Sequence, residues 1–179
     1  MKNYIGAAII TTLMACSSSP KEGDAVNDSA IATTDTSATS INVKIADPHI
    51  QKIYTGYISL KNSLVAANAK AARQTASDLS AALKGYAGCE NTALIADKIG
   101  GTEDLKEQRK EFTALSSDVI ALFKHVDLEK GSIYVQHCPM ANNGDGGDWL
   151  SSEKTIRNPY YGDEMLECGA VVEVIKTKI

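Results

Sequence analysis

The sequence predicts a mostly α-helical fold, an antiparallel bundle of three to four helices with a small C-terminal β hairpin or sheet that carries a long loop. Two observations predict it. Apolar residues recur every three or four positions from about residue 48 to about residue 128, which is the period of an amphipathic helix. After Gly131 the period changes to alternation, which is typical of a strand. Short connections between the helical stretches favour antiparallel neighbours.

The N-terminus has the features of a lipoprotein signal peptide over residues 1–15. Lys2 supplies a positive charge, and an apolar run over residues 5–13 follows it. This run is too short for a membrane-spanning helix, which needs about 20 residues. Residues 13–16 read Leu-Met-Ala-Cys and match a lipobox, whereas an ordinary cleaved signal would leave Cys16 without a role.

The resemblance to bacterial lipoproteins implies that Cys16 carries a diacylglycerol on its thiol and an acyl chain on its amine, which together anchor the chain to the membrane. Ser17 and Ser18 follow in place of Asp, and by the same resemblance this indicates the outer membrane. Residues 16–44 are mostly small and polar, so we expect a lipidated Cys and a disordered tether. A single globular domain is expected over residues 45–179.

Composition and motifs exclude two broad classes of function. The net charge is −4, and the Lys and Arg residues form no basic stripe, so we expect no nucleic-acid partner. The sequence has no Ser-His-Asp elbow, no zinc-protease helix and no phosphate-binding glycine loop. We therefore expect that the protein is not an enzyme.

Two helices are predicted first. Asp47 caps the first helix with Pro48 at its first position, and Asn68 caps the second, which ends near Gly85 in a left-handed turn. The first apolar stripe is Ile50, Ile53, Tyr57, Leu60 and Leu64, and the second is Ala69, Ala72, Ala76, Leu79, Leu83 and Tyr86.

A longer helix is predicted from Thr102, which acidic residues follow, to about Leu128. A shorter helix over residues 91–99 would precede it and end at two glycines. The stripe of the longer helix is Leu105, Gln108, Phe112, Leu115, Val119, Leu122 and Val126.

The C-terminal third alternates. Ile133, Val135 and His137 would lie on one face of a strand that ends at Pro139, with Cys138 on the other face, and residues 170–176 would form the partner strand. Residues 141–169 would then form a long functional loop. Its Asn-, Asp- and Gly-rich start, residues 142–148, does not match a calcium-binding loop and is predicted to be a flexible loop.

Two Cys-Met pairs bracket this loop: Cys138 with Met140, and Met165 with Cys168. Soft sulfur ligands suit Cu(I), and pairing of the two strands would bring the four sulfurs together. The sequence therefore predicts a copper site made of these four residues.

Other interpretations of the same residues stay open. Cys138 and Cys168 could form a disulfide in an oxidising compartment, and methionines often only fill gaps in a core. Cys89 makes the number of remaining thiols odd, so at least one thiol is free, paired between molecules or a ligand. His137 is expected to face away from Cys138, and its role is open.

The segment from about Ile50 to the C-terminus resembles domain of unknown function 3347, which occurs in bacterial lipoproteins and fused to CusB-type adaptors of heavy-metal efflux systems. The motifs that carry the resemblance are CPMA at 138–141, WLS at 149–151, IRNPYYG at 156–162 and MLECG at 165–169. It implies a periplasmic role in metal handling, with copper as the metal and an efflux adaptor as a partner. His137 departs from the aromatic residue that is usual there.

Two functional hypotheses follow. The first is a lipoprotein that binds copper for buffering or delivery. The second is a structural domain with a Cys138–Cys168 disulfide that docks an envelope or efflux-adaptor partner. The residues that would pack over the site or dock the partner are Trp149, Asn158, Pro159, Tyr160 and Tyr161. Asn158 and Pro159 are also predicted to form a turn.

Overall fold

The computed structural model describes residues 42–177. The predicted signal peptide over residues 1–15, the lipidated Cys16 and all but the end of the predicted tether lie outside the described residues. The structure therefore does not test those predictions.

The helical part consists of α1 (Pro48–Val65), α2 (Ala69–Lys84), α3 (Glu90–Gly100) and α4 (Leu105–Phe123). They make up about half of the described residues, and each packs against the next along the chain. The predicted combination of four helices and a small C-terminal sheet is thus confirmed at this level.

The caps of the first two helices are as predicted. The Asp47 side chain accepts from the amides of His49 and Ile50, with Pro48 at the start of α1, and the Asn68 side chain accepts from the Ala71 amide. Each cap satisfies backbone N–H groups that the helix itself leaves unpaired. Gly85 does end α2, but its φ of −81° is right-handed, so the predicted left-handed turn is wrong.

Both predicted ends of the longest helix are wrong. Asp104 caps α4 by accepting from the amides of Lys106 and Glu107, and Thr102 lies before it, accepting from the Asp104 amide. The helix ends at Phe123. Leu128 belongs to the next strand, and Val126, the last residue of the predicted stripe, lies between the helix and that strand.

Two small antiparallel sheets complete the fold. β1 (Lys44–Ile45) pairs with β2 (Leu128–Lys130), and Val43 before it is buried. The folded unit therefore includes residues before the predicted domain start at 45. The second sheet contains β3 (Ser132–Cys138), β4 (Gly147–Ser151) and β5 (Ala170–Lys176) in the order β4-β3-β5.

β5 is the partner strand that the sequence predicts for β3, whereas β4 is a correction. The sequence predicted residues 141–169 as one loop with a flexible glycine-rich start. In the structure the chain makes a 3-10 turn at Asn142–Gly144 and then pairs residues 147–151 with β3. The turn is fastened by the Asn142 side chain, whose amide donates to the Gly146 carbonyl at 2.8 Å.

The Tyr57 hydroxyl joins the helices to the sheet. It lies 2.6 Å from the Ser116 hydroxyl of α4 and accepts from the Leu150 amide of β4 at 3.1 Å. Complete burial raises the pKa of Tyr57 well above its ordinary value, so the hydroxyl stays neutral. One side chain of α1 thus satisfies two buried polar groups on other elements.

Leu115→Ala is expected to lower the free energy of unfolding by about 2 to 5 kcal/mol, because Leu115 is fully buried and its truncation leaves a cavity. Lys110 is exposed on the same helix, so Lys110→Ala should cost well under about 1 kcal/mol. Chemical denaturation of both variants tests this. Equal losses would contradict the burial of this face.

Lys61→Met is expected to stabilise the domain at neutral pH. Lys61 is 4% exposed on α1, and burial lowers its pKa from 10.5 to about 8, with Arg157 adding to and Glu153 opposing the shift. Keeping it charged in the fold costs roughly 3 kcal/mol, since each pKa unit is worth about 1.4 kcal/mol.

The direction of the Lys61 pKa shift determines how the stabilisation by Lys61→Met depends on pH. The unfolded chain binds more protons than the folded chain between about pH 8 and 10.5, so the wild type gains stability as pH rises through that window. Thermal unfolding of the wild type and of Lys61→Met should therefore show a difference in Tm that is widest below pH 8 and shrinks towards pH 10.5. A difference in Tm that does not change with pH would contradict the burial of a charged Lys61.

Candidate metal site

The pairing of β3 with β5 brings Cys138 and Cys168 together. His137 lies opposite Ala170 in the antiparallel register, so Cys138 and Cys168 come just beyond the last pair on the two strands. The Cys138 thiol is near enough to Cys168 to raise the pKa of the Cys168 thiol. Cys138 is fully buried and Cys168 is partly exposed.

Gly169 makes this close approach possible. A Cβ atom on it would lie 2.7 Å from the His137 carbonyl oxygen and 3.0 Å from the Trp149 ring. Its φ of +141° is also a conformation that residues with a side chain rarely adopt. Only glycine therefore lets the segment before β5 lie against the end of β3.

The neighbouring Cys138 thiol changes the acidity of Cys168. Hydrogen bonding to Cys138 raises the pKa of Cys168, and burial adds to the effect. The Met140 backbone opposes this shift, as expected for an amide that donates to the Cys168 sulfur. Without a bound cation, the protonated form of Cys168 is therefore favoured.

Both methionines are tied to Cys168 through their backbone atoms. Besides the amide of Met140, the carbonyl of Met165 accepts from the Cys168 amide at 3.1 Å. The Met140 side chain is 54% exposed, and that of Met165 is half-buried. That their sulfurs act as ligands beside the cysteines stays a prediction.

Cys89 and His137 lie apart from the pair. Cys89 is buried at the N-cap of α3, where burial raises the pKa of its thiol. His137 occupies the opposite strand face from Cys138, and its Nδ1 lies 2.8 Å from an Asp148 carboxylate oxygen. Among the thiols that the structure describes, the two that interact are therefore Cys138 and Cys168.

Asn158 fastens the segment that carries Cys168. Its side-chain amide donates to the Cys168 carbonyl at 3.1 Å, and its side-chain oxygen accepts from the Tyr160 amide at 2.8 Å. Its backbone carbonyl accepts from the Gly162 amide, which closes the turn containing Pro159. The predicted turn is present, and it positions the Cys168 segment.

Gln136 has a role that the sequence analysis missed. Its side-chain oxygen accepts from the Trp149 indole at 2.8 Å, and its side-chain nitrogen lies within 3.3 Å of three carbonyl oxygens of residues 153–155. A buried amide satisfied in this way holds the loop onto the sheet. The only signal in the sequence was a polar residue at an inward position of a strand.

The aromatic residues of the loop are mostly buried. Trp149 packs edge-on against Tyr160 with ring centroids 6.0 Å apart, and Tyr160 also packs against Phe112 of α4. Tyr161 is partly exposed, and its hydroxyl donates to the Met140 carbonyl. Of the five residues predicted to pack or dock, Trp149, Asn158, Pro159 and Tyr160 pack inside and only Tyr161 reaches the surface.

Residues 42–177 contain no group of three or more His, Cys, Asp or Glu side chains placed to hold a metal ion. In the same part of the chain, no helix combines the length and apolar character that a membrane span requires.

Gly169→Ala is expected to disrupt the thiol pair, because the new methyl group would collide with the backbone of β3. Gly144→Ala is the matched control: its φ of +101° is also unfavourable, but nothing lies within 4 Å of the added carbon. Reactivity of Cys138 towards a soluble thiol reagent should rise in the first variant only. Equal behaviour of the two variants would contradict the close approach.

In the comparison with protein families, residues 53–131 match the model described as "Protein of unknown function (DUF3347)". Comparison with curated proteins and with solved structures finds no match. The matched segment covers most of the helical part and the start of the sheet region, and it ends before the cysteine pair. Over residues 53–131, the chain is therefore similar to the DUF3347 family of proteins of unknown function.

Proposed function

We propose that the protein is an envelope lipoprotein that binds a soft metal ion, copper as Cu(I), and buffers it or delivers it to an efflux system. The observation that carries the proposal is the β3–β5 register, which places Cys138 and Cys168 at the same end of the sheet, and the pKa of Cys168 is raised by the neighbouring Cys138 thiol. Thiolates are the side chains that best bind Cu(I), and two of them side by side suit one ion.

The surroundings of the pair fit such an ion. Cys138 is buried in the sheet, so water has limited access to that side of the site. Cys168 is partly exposed, so a metal ion could enter the site from its side. Binding would release the thiol protons and place the positive charge of the ion between two thiolates. Met140 and Met165 flank Cys168 and would supply further soft ligands.

The rest of the chain serves this site in the proposal. The four helices, arranged as an antiparallel bundle, form the support against which the sheet packs. The lipid on Cys16 holds the domain at the outer membrane, and an efflux adaptor receives the metal. These parts rest on the sequence motifs and on the resemblance described above.

The second candidate is a structural domain in which Cys138 and Cys168 form a disulfide. The same closeness of the two thiols favours it. In this case Cys138→Ser and Cys168→Ser would each lower stability by a few kcal/mol, as loss of a native disulfide does. The methionine variants would have no effect on metal binding, because no metal would be bound.

Anaerobic titration of the soluble domain from Ile41 onward with Cu(I), followed by metal analysis, tests the proposal. One ion per chain is expected, and Cys138→Ser or Cys168→Ser should abolish tight binding because each removes a thiolate. Met140→Leu and Met165→Leu should weaken binding while the fold stays intact.

Two variants serve as controls in that titration. Cys89→Ser removes a thiol remote from the pair, and His137→Phe removes an imidazole on the other strand face. Both should leave the affinity for Cu(I) nearly unchanged. Tight binding that survives loss of both Cys138 and Cys168 would contradict the proposed function.

A further inference from the structure

The two cysteines differ in exposure although their thiols interact. Cys138 is fully buried at the end of β3, opposite Gly147 of β4. Cys168 is partly exposed in the turn before β5. A dissolved reagent therefore has access to Cys168 and not to the fully buried Cys138.

From this asymmetry we propose that the pair is an ordered thiol–disulfide exchange site. Low-molecular-weight disulfides such as glutathione disulfide modify Cys168, and Cys138 then displaces the attached thiol. The exchange does not require a metal. Its consequence for metal release rests on the function proposed above.

The reaction balances with the soluble disulfide as oxidant. The Cys168 thiolate attacks one sulfur of the disulfide; a bond between Cys168 and that sulfur forms, and the other half leaves as a thiolate. The Cys138 thiolate then attacks the Cys168 sulfur, and the second half leaves. Two protein thiols lose two electrons and two protons, and one soluble disulfide becomes two soluble thiols.

The fold favours the second step. The β3–β5 register places Cys138 and Cys168 at the same end of the sheet, and the Asn158 side chain donates to the Cys168 carbonyl. The mixed disulfide on Cys168 would therefore form next to its attacking group. In the disulfide state neither sulfur is a thiolate, so the same oxidation would release a bound soft metal ion.

Single-cysteine variants separate the two steps. The full chain, incubated with glutathione disulfide, should form the intramolecular disulfide and release two glutathiones per chain. Cys138→Ser should stop at one glutathione on Cys168, located by peptide mass mapping, because the displacing thiol is absent. Cys168→Ser should leave Cys138 unmodified, because its sulfur is buried.

Cys89 provides an internal control for folding, since it is buried elsewhere and should stay unmodified in every variant. A Cys138→Ala variant that also retains one glutathione on Cys168 would support the assignment independently of the serine. Modification of Cys138 in Cys168→Ser while Cys89 stays protected would overturn the proposed order. So would a Cys138→Ser protein that remains free of glutathione.

Loading the chain with Cu(I) before the incubation separates this inference from the proposed function. Slower modification of Cys168 in the loaded chain is expected, because the metal would occupy its thiolate. If loaded and metal-free chains react at the same rate, the proposed copper site fails while the exchange assignment stands. If neither chain is modified, the exchange assignment fails.

Discussion

The antiparallel register between β3 and β5 is the constraint on which the candidate site depends. Cys138 and Cys168 are far apart in the sequence, and opposition of His137 to Ala170 brings them to one end of the sheet. A shift of one residue would turn either cysteine to the other face. This register requires glycine at position 169, because a side chain there would collide with the His137 carbonyl of β3.

Buried polar contacts connect that register to the rest of the fold. The Tyr57 hydroxyl links α1 and α4 to β4, while the Gln136 amide links β3 to Trp149 and to the loop that follows β4. Removing one partner of such a contact leaves a buried group unsatisfied, which costs about 1 to 3 kcal/mol. The helices are thus joined to the sheet that contains Cys138 by a specific hydrogen bond as well as by apolar packing.

The helices could be predicted because their signals are local. Apolar period and the Asp47 and Asn68 caps act within a few residues, so neighbouring sequence is enough to find them. The start of α4 was misplaced because Thr102 and Asp104 are both good caps, and packing selects between them. β4 was missed because its glycine-rich start predicts a loop, whereas residues 147–151 turn back and pair with β3 across the short connection of residues 139–146.

The site could be predicted in outline only. Two segments of alternating apolar residues predicted the strand pairing that brings Cys138 and Cys168 to one end of the sheet. The alternation of side chains along a strand correctly placed His137 on the other face. The importance of Gln136 and Gly169 could not be read from the sequence, because it depends on which backbone atoms the fold places beside them. Burial of Trp149 and Tyr160 is equally a property of the folded loop.

The soft-metal site that we propose consists of the end of β3 and the turn before β5. X-ray absorption at the copper edge, recorded on chain loaded with one Cu(I), tests this most directly because it identifies the atoms bound to the metal. We expect that only sulfur atoms bind the copper and that this sulfur signal is lost when Cys138 and Cys168 are both replaced by Ser. A shell of nitrogen or oxygen that persists in that double variant would contradict it.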